Sequence, residues 1–434
     1  METNTKNIRV GVALSGGGYR ATGFHIGTLK KLNELGILSR LDVLSTISGG
    51  SITGAAYCLH HGDFKNFEAK MITQLSTKSV IRYVLTSWLF FRFIIYCVLF
   101  LCLSHWLYNI WVPLGMLTLI AFIYTLIRYQ FKIFPVSRII ERAYDKFFCH
   151  EATLSGLCEK PELAIGATNL QTSRHFTFSR RKMEDSAYAY YKPPVFFDGA
   201  DFPVSRAVMA SSCVPSFFSP VSIDAVYFRD PVLVSSVNPK LIDGGVYDNQ
   251  GIHKLTQDNS TYSCHVVVVS DAGNNLPFDK AYNNTFTLLL RTVNTFMVRI
   301  KNFQMMNNIY QAPVKRQIAY LSLAWDLENC LPGFFDNLKT GNIHQDVLTV
   351  HKLADEWVKD PSAYKEQILT HLEQRCQVKE ILSRGLPKER LQNIRQITTN
   401  LTRIKVNLLQ DMIVHAANLT ELQIRLYCPS LLSN

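Results

Sequence analysis

The chain of 434 residues lacks the patterns that mark several common classes of protein. No two of its ten cysteines form a CxxC pair, so neither a zinc ribbon nor a dithiol redox motif is indicated. The first nine residues are polar and contain no apolar h-region, so we expect no signal peptide and a reducing, cytosol-facing compartment. The chain has no internal repeat, and its 47% of hydrophobic residues excludes a disordered protein.

Acidic residues are missing between Glu68 and Glu141, and residues 93–127 carry no charge of either sign. A single helix of these 35 residues would be about 52 Å long, which exceeds a hydrocarbon core of about 30 Å. Pro113 and Gly115 lie a little past the middle of this apolar block, where a turn is expected. With the apolar residues just before the block included, the sequence predicts two membrane crossings of about 20 residues each.

Basic residues bracket the apolar block on both sides. The positive-inside rule therefore places both flanks in the cytosol, and basic residues at this position favour anionic lipid headgroups. Between Lys78 and Arg142 lie seven basic residues and one acidic residue, so more than half of the formal net charge of +11 surrounds the block. The charge thus indicates a membrane surface and not nucleic acid. A hairpin that dips into one leaflet and a buried core hairpin of a soluble protein are the alternatives.

Two predicted strands near the start each run into a glycine turn and then a helix. The first strand, residues 8–14, is followed by a glycine turn and by a helix over residues 22–35. The second strand, residues 41–47, is followed by Ser48-Gly49-Gly50-Ser51 and another helix. This repeated order is typical of a parallel α/β sheet. Later strands are predicted at residues 162–168, 175–179, 240–242 and 265–269, with a helix at residues 202–212.

The first glycine turn, Gly16-Gly17-Gly18-Tyr19-Arg20, has two interpretations. It fits the GxGxxG/A pattern of dinucleotide-binding turns, but the second strand ends without the acidic residue that would bind a ribose. Alternatively, its backbone N–H groups at a helix N-terminus stabilise a developing oxyanion.

Two further turns carry candidate catalytic side chains. Ser51 lies in the sequence Gly49-Gly50-Ser51-Ile52-Thr53-Gly54, where small residues permit a nucleophile elbow between a strand and a helix. An ordinary helix N-cap serine is the alternative, and Thr53 replaces the last glycine of GxSxG. Asp243 follows a short apolar strand and precedes two glycines, a common turn pattern by itself.

Together, the three turns resemble the signature of the patatin-like phospholipase family, which combines Gly-Gly-Gly-x-Arg, a serine elbow and Asp-Gly-Gly. Residues 207–220 also match the family's A-x-x-A-S-x-x-x-P-x-x-F-x-P block, and residues 247–249 are similar to its continuation after the acid. The resemblance covers about residues 7–60 and 160–275. It implies a three-layer α/β/α catalytic domain, here interrupted by the hydrophobic hairpin, and no cofactor or metal.

The resemblance also implies a Ser–Asp dyad in place of a Ser–His–Asp triad. Ser51 would be the nucleophile and Asp243 the base that accepts its proton. Three backbone N–H groups would stabilise the tetrahedral oxyanion, those of Gly16, Gly17 and Gly18. Arg20 would either hold the glycine loop in shape or bind a lipid phosphate. Thr53 puts the packing of the elbow in question, because a glycine at that position allows close helix–strand approach.

The dyad constrains the topology, since Ser51 precedes the apolar block and Asp243 follows it. Both residues must lie on one side of the membrane, so the block has to be a hairpin and not a single crossing. We therefore divide the chain into four parts: residues 1–78, the first part of the catalytic domain; residues 79–142, the membrane hairpin with its basic flanks; residues 143–280, the second part of the catalytic domain; and residues 281–434, a mainly helical region that completes or extends it.

The sequence thus predicts a membrane-associated serine hydrolase that cleaves glycerophospholipid or lysophospholipid esters through an acyl-enzyme, with its catalytic domain facing the cytoplasm. Membrane lipids are both the expected substrate and the expected anchor. The alternatives are a neutral-lipid lipase or thioesterase with the same dyad, and a non-catalytic membrane scaffold whose helical C-terminal region binds a partner protein.

Overall fold

The computed structural model describes residues 8–215, 218–273, 282–311 and 314–432. In these residues nine strands form a single sheet. The strands are β1 (Val10–Leu14), β2 (Val43–Ile47), β3 (Glu162–Asn169), β4 (Arg174–Phe178), β5 (Met183–Asp185), β6 (Val221–Ser222), β7 (Lys240–Asp243), β8 (Val266–Asp271) and β9 (Gln317–Ser322). Ser216 and Phe217, which belong to the predicted A-x-x-A-S block, lie outside the described residues.

The sheet is mixed, although a parallel sheet is predicted. Strands β3, β2, β1, β8 and β9 are neighbours in this order and run parallel to one another. In contrast, β4 and β7 pair antiparallel with β3, and β5 and β6 extend these two strands. The carboxyl ends of the parallel strands share one edge of the sheet, where ligand sites of open α/β sheets are usually found.

The α-helices of the described residues connect the strands along the chain and follow the last of them. They are α1 (Gly18–Glu34), α2 (Gly49–Leu59), α3 (Phe64–Thr77), α4 (Val80–Leu85), α5 (Trp88–Ile110), α6 (Val112–Ile133), α7 (Val136–Tyr144), α8 (Ser186–Ala189), α9 (Val204–Ser211), α10 (Gly245–Asp248), α11 (His253–Thr256), α12 (Thr285–Met305), α13 (Cys330–Lys339), α14 (Gln345–His351), α15 (Asp355–Lys359), α16 (Lys365–Arg375), α17 (Val378–Ser383), α18 (Lys388–Arg395) and α19 (Val406–Tyr427).

Both faces of the sheet are buried, because successive side chains of a strand point to opposite sides. In β1, Val12 and Leu14 belong to a large core cluster that includes α1, α2 and α19. Ala13, between them, belongs to a smaller cluster on the other face with Ile252, at the start of α11, and Ile309. Continuous burial along β1 explains why this strand is apolar throughout instead of alternating.

The C-terminal region, predicted as mainly helical, also supplies a strand. β9 pairs with β8 along six residues, and α19 packs against α1 and β9. The contact between α1 and α19 is close at Gly27, where a Cβ atom would lie 2.3 Å from the carbonyl oxygen of Ile413. The C-terminal region therefore extends the sheet and covers one of its faces.

The apolar block forms two antiparallel helices, α5 and α6, which are long and apolar enough to cross a membrane by length and composition. The turn between them is at Trp111, earlier than predicted, while Pro113 lies in the first turn of α6. Polar groups bond between the two helices: the Ser104 hydroxyl of α5 donates to the Gly115 carbonyl of α6 over 2.8 Å. Most other side chains of the pair are exposed, with Trp88 at 71%.

Two helical glycines allow a test of the packing between α1 and α19. Gly27→Ala is expected to lower the free energy of unfolding by about 1–3 kcal/mol, since the added methyl group overlaps the backbone of α19. Gly333→Ala, in α13, meets no atom within 4 Å and should raise it by about 0.5–1 kcal/mol through helix propensity. Thermal unfolding of the two variants and the wild type in the same detergent shows whether each substitution lowers or raises the stability. Equal stability of the two variants would contradict the close contact.

Candidate active site

The strained turn between β2 and α2 is occupied by Ser48. This residue follows the last residue of β2 directly and has φ 49° and ψ −114°, a conformation that non-glycine residues rarely adopt. A serine held in strained backbone between a strand and a helix is the defining feature of a nucleophile elbow. The elbow position predicted for Ser51 therefore belongs to Ser48, three residues earlier.

Ser51 lies inside α2 and its side chain is fully buried. Its hydroxyl is 3.1 Å from the Thr46 hydroxyl and 2.9 Å from the Ser211 hydroxyl. Neither contact involves Asp243, because one turn of helix rotates Ser51 away from the edge of the sheet. The arrangement fits a structural hydroxyl that joins α2 to β2 and α9.

Backbone contacts explain the glycines that follow Ser48. A Cβ atom on Gly49 would lie 2.2 Å from the Gly18 carbonyl oxygen, and one on Gly50 would lie 2.3 Å from the Leu14 carbonyl oxygen. Any side chain at either position would push the elbow away from the first glycine turn. The two glycines thus hold Ser48 beside that turn, with its Cβ atom 3.3 Å from where a Cβ of Gly16 would be.

Asp243 is the last residue of β7 and faces Ser48. Burial raises the pKa of the Asp243 carboxyl to about 6, although the Gly245 N–H and the Ser48 hydroxyl, which bond to the ionised form, lower it. The Gly245 N–H donates to Asp243 Oδ1 over 2.7 Å. A carboxylate with this pKa can accept a proton near neutral pH and return it readily.

Ser211, in the predicted A-x-x-A-S block, positions the elbow. Its hydroxyl donates to the Gly166 carbonyl over 2.6 Å and accepts a hydrogen bond from the Ser48 N–H over 2.9 Å. The Gly244 N–H, next to Asp243, donates to the Ser211 carbonyl over 3.1 Å. Ser211, at the end of α9, therefore bonds both to the backbone of Ser48 and to the backbone of Gly244, next to Asp243.

The first glycine turn supplies free N–H groups beside Ser48. Gly17 has φ 140° and Gly18 has φ 57°, values that favour glycine. Within the described part of the chain, no acceptor bonds to the N–H of Gly17 or Gly18, whereas the Gly16 N–H donates to the Asn249 carbonyl over 2.9 Å. Of the three predicted oxyanion donors, Gly17 and Gly18 are available and Gly16 is occupied.

Two buried polar side chains, those of His25 and Arg20, hold the glycine turn in place. The ring of His25 bonds to the Ser15 carbonyl (2.9 Å) and the Ser270 hydroxyl (2.8 Å), and burial lowers its pKa to about 4. Such a histidine stays neutral at physiological pH. Arg20 is also buried, and its guanidinium donates to the Ile397 carbonyl over 2.9 Å. This contact fits the predicted role of Arg20 in holding the loop, since it ties the loop to the segment before α19.

The pair is nearly closed to solvent. Ser48 is 7% exposed and Asp243 is 6% exposed. The Tyr19 N–H donates to the Asn400 carbonyl over 2.9 Å, so the segment before α19 covers the glycine turn. In the described ranges, no group of three or more histidine, cysteine or acidic side chains is placed to hold a metal ion.

A strained serine at a strand–helix turn, a buried carboxylate facing it and two free glycine amides are the parts of a serine acyl-transfer site. The chain belongs to the patatin-like phospholipase family, whose model matches residues 12–256, more than half of the sequence. This range includes Ser48, Asp243 and the whole hairpin between them. No curated protein matches the chain.

Two solved structures illustrate how distant the structural relatives are. Human GIVD cytosolic phospholipase A2 is 12% identical with a TM-score of 0.45, and the match covers 98% of this chain but only 62% of that one. VipD from Legionella pneumophila is 13% identical with a TM-score of 0.30 over 99% of this chain and 92% of its own. This chain thus spans less than two thirds of the human protein.

The sequence contains a signal for Ser48 that the GxSxG comparison obscures. The predicted strand ends at Ile47, and an elbow nucleophile follows its strand directly, which selects Ser48. The same placement puts Gly50 two residues after the candidate nucleophile, where the pattern requires glycine, and moves the single mismatch from Thr53 to Thr46.

Reaction with a fluorophosphonate distinguishes the two serines. Ser48→Ala is expected to abolish labelling, while Ser51→Ala should keep it, because the Ser51 hydroxyl is buried in α2 and bonded to Thr46 and Ser211. Peptide mapping of the labelled wild-type protein identifies the modified residue. A label on Ser51 would show that the elbow assignment is incorrect.

Proposed function

We propose that this protein hydrolyses ester bonds of membrane glycerophospholipids or lysophospholipids with Ser48 as the nucleophile and Asp243 as the base. The observation that carries the proposal is the strained Ser48 facing a buried carboxylate of raised pKa, beside two free glycine N–H groups. Membership of the patatin-like phospholipase family supports a lipid ester as the substrate.

The geometry supports a two-step acyl transfer. Asp243 accepts the proton of the Ser48 hydroxyl as its oxygen attacks the ester carbonyl, and the N–H groups of Gly17 and Gly18 stabilise the tetrahedral oxyanion. Asp243 then returns the proton to the departing alcohol, which leaves an acyl-enzyme. Water then attacks the acyl carbon while Asp243 accepts its proton. As the bond between the acyl carbon and Ser48 Oγ breaks, Asp243 returns this proton to Ser48 Oγ and the fatty acid is released.

The hairpin supports access to a lipid bilayer. α4, just before it, packs against α7, just after it, so the chain leaves and re-enters the catalytic domain at one place. This geometry allows the serine and the carboxylate to share a side of the membrane although the hairpin separates them in sequence. We propose that α5 and α6 insert into the membrane with the basic flanks and the catalytic domain on the cytoplasmic side.

A comparison of lipids in membranes that contain the wild-type protein, Ser48→Ala or Asp243→Asn tests the function. We expect free fatty acids and lysophospholipids to accumulate with the wild type only, with each variant reducing the rate by at least about a thousandfold. Ser51→Ala is the matched control and should retain most of the activity. Accumulation of diacylglycerol instead would indicate a neutral-lipid lipase, and unchanged lipids with every protein would indicate a non-catalytic scaffold.

The pKa of Asp243 predicts the pH dependence. The base has to be ionised, so kcat/KM should rise with pH through about 6 and reach a plateau above it. A water-soluble, uncharged ester in neutral detergent is the appropriate substrate, because an anionic lipid surface shifts the local pH. A rate that falls as pH rises through about 6 would be inconsistent with a carboxylate base.

A further inference from the structure

Helix α12 is long, apolar and exposed. It has 21 residues, eleven of them apolar, yet none of its described side chains is buried. Its outer face carries Leu289, Phe296 and Phe303 at intervals of seven residues, which are 59%, 56% and 65% exposed. Soluble surfaces rarely display such a row of large apolar side chains without a partner.

The charges of α12 have one sign only. Arg291, Arg299 and Lys301 lie within it, and it has no aspartate or glutamate. Lys301 forms an ion pair with the buried Asp271 at 2.5 Å, and the Arg291 guanidinium lies over the Tyr282 ring, 5.4 Å from its centroid. Arg299, three residues after Phe296, is therefore the cation beside the apolar row. An apolar stripe with basic neighbours is typical of helices that lie in the headgroup region of a bilayer.

Another exposed apolar patch provides a contrast. Val226 and Val232 are each 78% exposed, but acidic Asp224 and Asp230 lie two residues before them. Asp224 is paired with Arg206 and Arg229 lies next to Asp230, so the charges around this patch balance, whereas those of α12 are all positive. Exposure alone therefore does not single out α12; the charge does.

The position of α12 connects it to the catalytic pair and to the hairpin. The Met297 Cε atom is 3.0 Å from where a Cβ of Gly245 would be, two residues after Asp243. On another side, the Asp243 N–H donates to the Cys213 carbonyl over 2.8 Å, and Cys213 Sγ is 4.0 Å from the Ser137 hydroxyl at the base of the hairpin. α12 and the hairpin base are thus each linked to the backbone segment around Asp243.

We propose that α12 is a second membrane contact, which lies in the headgroup region of the leaflet next to the catalytic domain and binds anionic phospholipids. Leu289, Phe296 and Phe303 enter the acyl boundary, and Arg299 contacts the phosphates. This inference rests on the proposed function in one respect, since a hydrolase of bilayer lipids needs its active site at the lipid surface. The hairpin base and α12 are both linked to the segment around Asp243, so the two membrane contacts hold the Ser48–Asp243 pair close to the bilayer surface.

Photocrosslinking of the full chain tests the contact without measuring hydrolysis. p-Benzoylphenylalanine replaces Phe303 in the Ser48→Ala background, so that lipids are not consumed, and the protein is reconstituted in phosphatidylcholine vesicles with one third phosphatidylglycerol. Irradiation is expected to give lipid adducts, identified by mass spectrometry. The same replacement at Val232, which is also exposed but lies near Asp230, is the matched control and should give few.

Removing the positive charge from α12, or the anionic lipid from the vesicles, tests whether α12 recognises anionic headgroups. Arg299→Gln should lower the yield of adducts at Phe303 several-fold, and vesicles of phosphatidylcholine alone should have the same effect on the unaltered helix. Arg291→Gln is the matched control and should leave the yield largely unchanged, because Arg291 lies over the Tyr282 ring. Adducts between two copies of the chain, or equal lipid adducts at Phe303 and Val232, would overturn the proposal. Because no outcome depends on catalysis, failure of the proposed hydrolysis would be seen separately, in the lipid comparison.

Discussion

The close backbone contact between two glycine-bearing turns is the constraint on which the site depends. Gly49 approaches Gly18, and Gly50 approaches the end of β1, at distances that exclude any side chain. Because β1 and β2 are adjacent and parallel, their carboxyl ends bring these turns together without further structure. The contact places the strained Ser48 beside the free amides, so the proposed nucleophile and the proposed oxyanion donors are fixed by the same backbone geometry.

The sheet also positions the proposed base, Asp243. β7 pairs antiparallel with β3, and this register ends with Asp243 beside Ala167. The carboxylate reaches Ser48 from the opposite direction to the glycine turn. Burial would make an isolated carboxylate unfavourable, but hydrogen bonds from Gly245 and Ser48 offset part of this cost. In this arrangement the neutral His25 supports the glycine turn through Ser15 and takes no part in proton transfer.

Much of the fold follows from local patterns in the sequence. The buried strands near the start, the glycine turns after them and the apolar hairpin have strong signals, and their predicted positions agree with the structure to within a few residues. Of the antiparallel strands, β4 and β7 agree with the strands predicted at residues 175–179 and 240–242, but their direction was not predicted. β5 and β6 were missed, since runs of three and two residues carry no strand pattern. β9 was also missed, because it is a six-residue run within a region of helical composition.

The sequence predicts the turns that form the site, but it does not predict the role of every residue in them. GxSxG is matched at one of its two glycines by either serine, Gly49 for Ser51 and Gly50 for Ser48, whereas the strained backbone at the end of the strand selects Ser48. Likewise, sequence alone cannot show that the Gly16 N–H is already bonded to Asn249, because the two residues are far apart in the chain.

The short connections of the hairpin have a mechanical consequence. Only Thr86 and Ser87 separate α4 from α5, and only Phe134 and Pro135 separate α6 from α7. With no flexible tether, an inserted hairpin fixes the height and tilt of the catalytic domain above the bilayer. Such a protein would encounter its substrates by their lateral diffusion within the surrounding leaflet, and its turnover in a membrane would depend on the two-dimensional density and fluidity of the lipids.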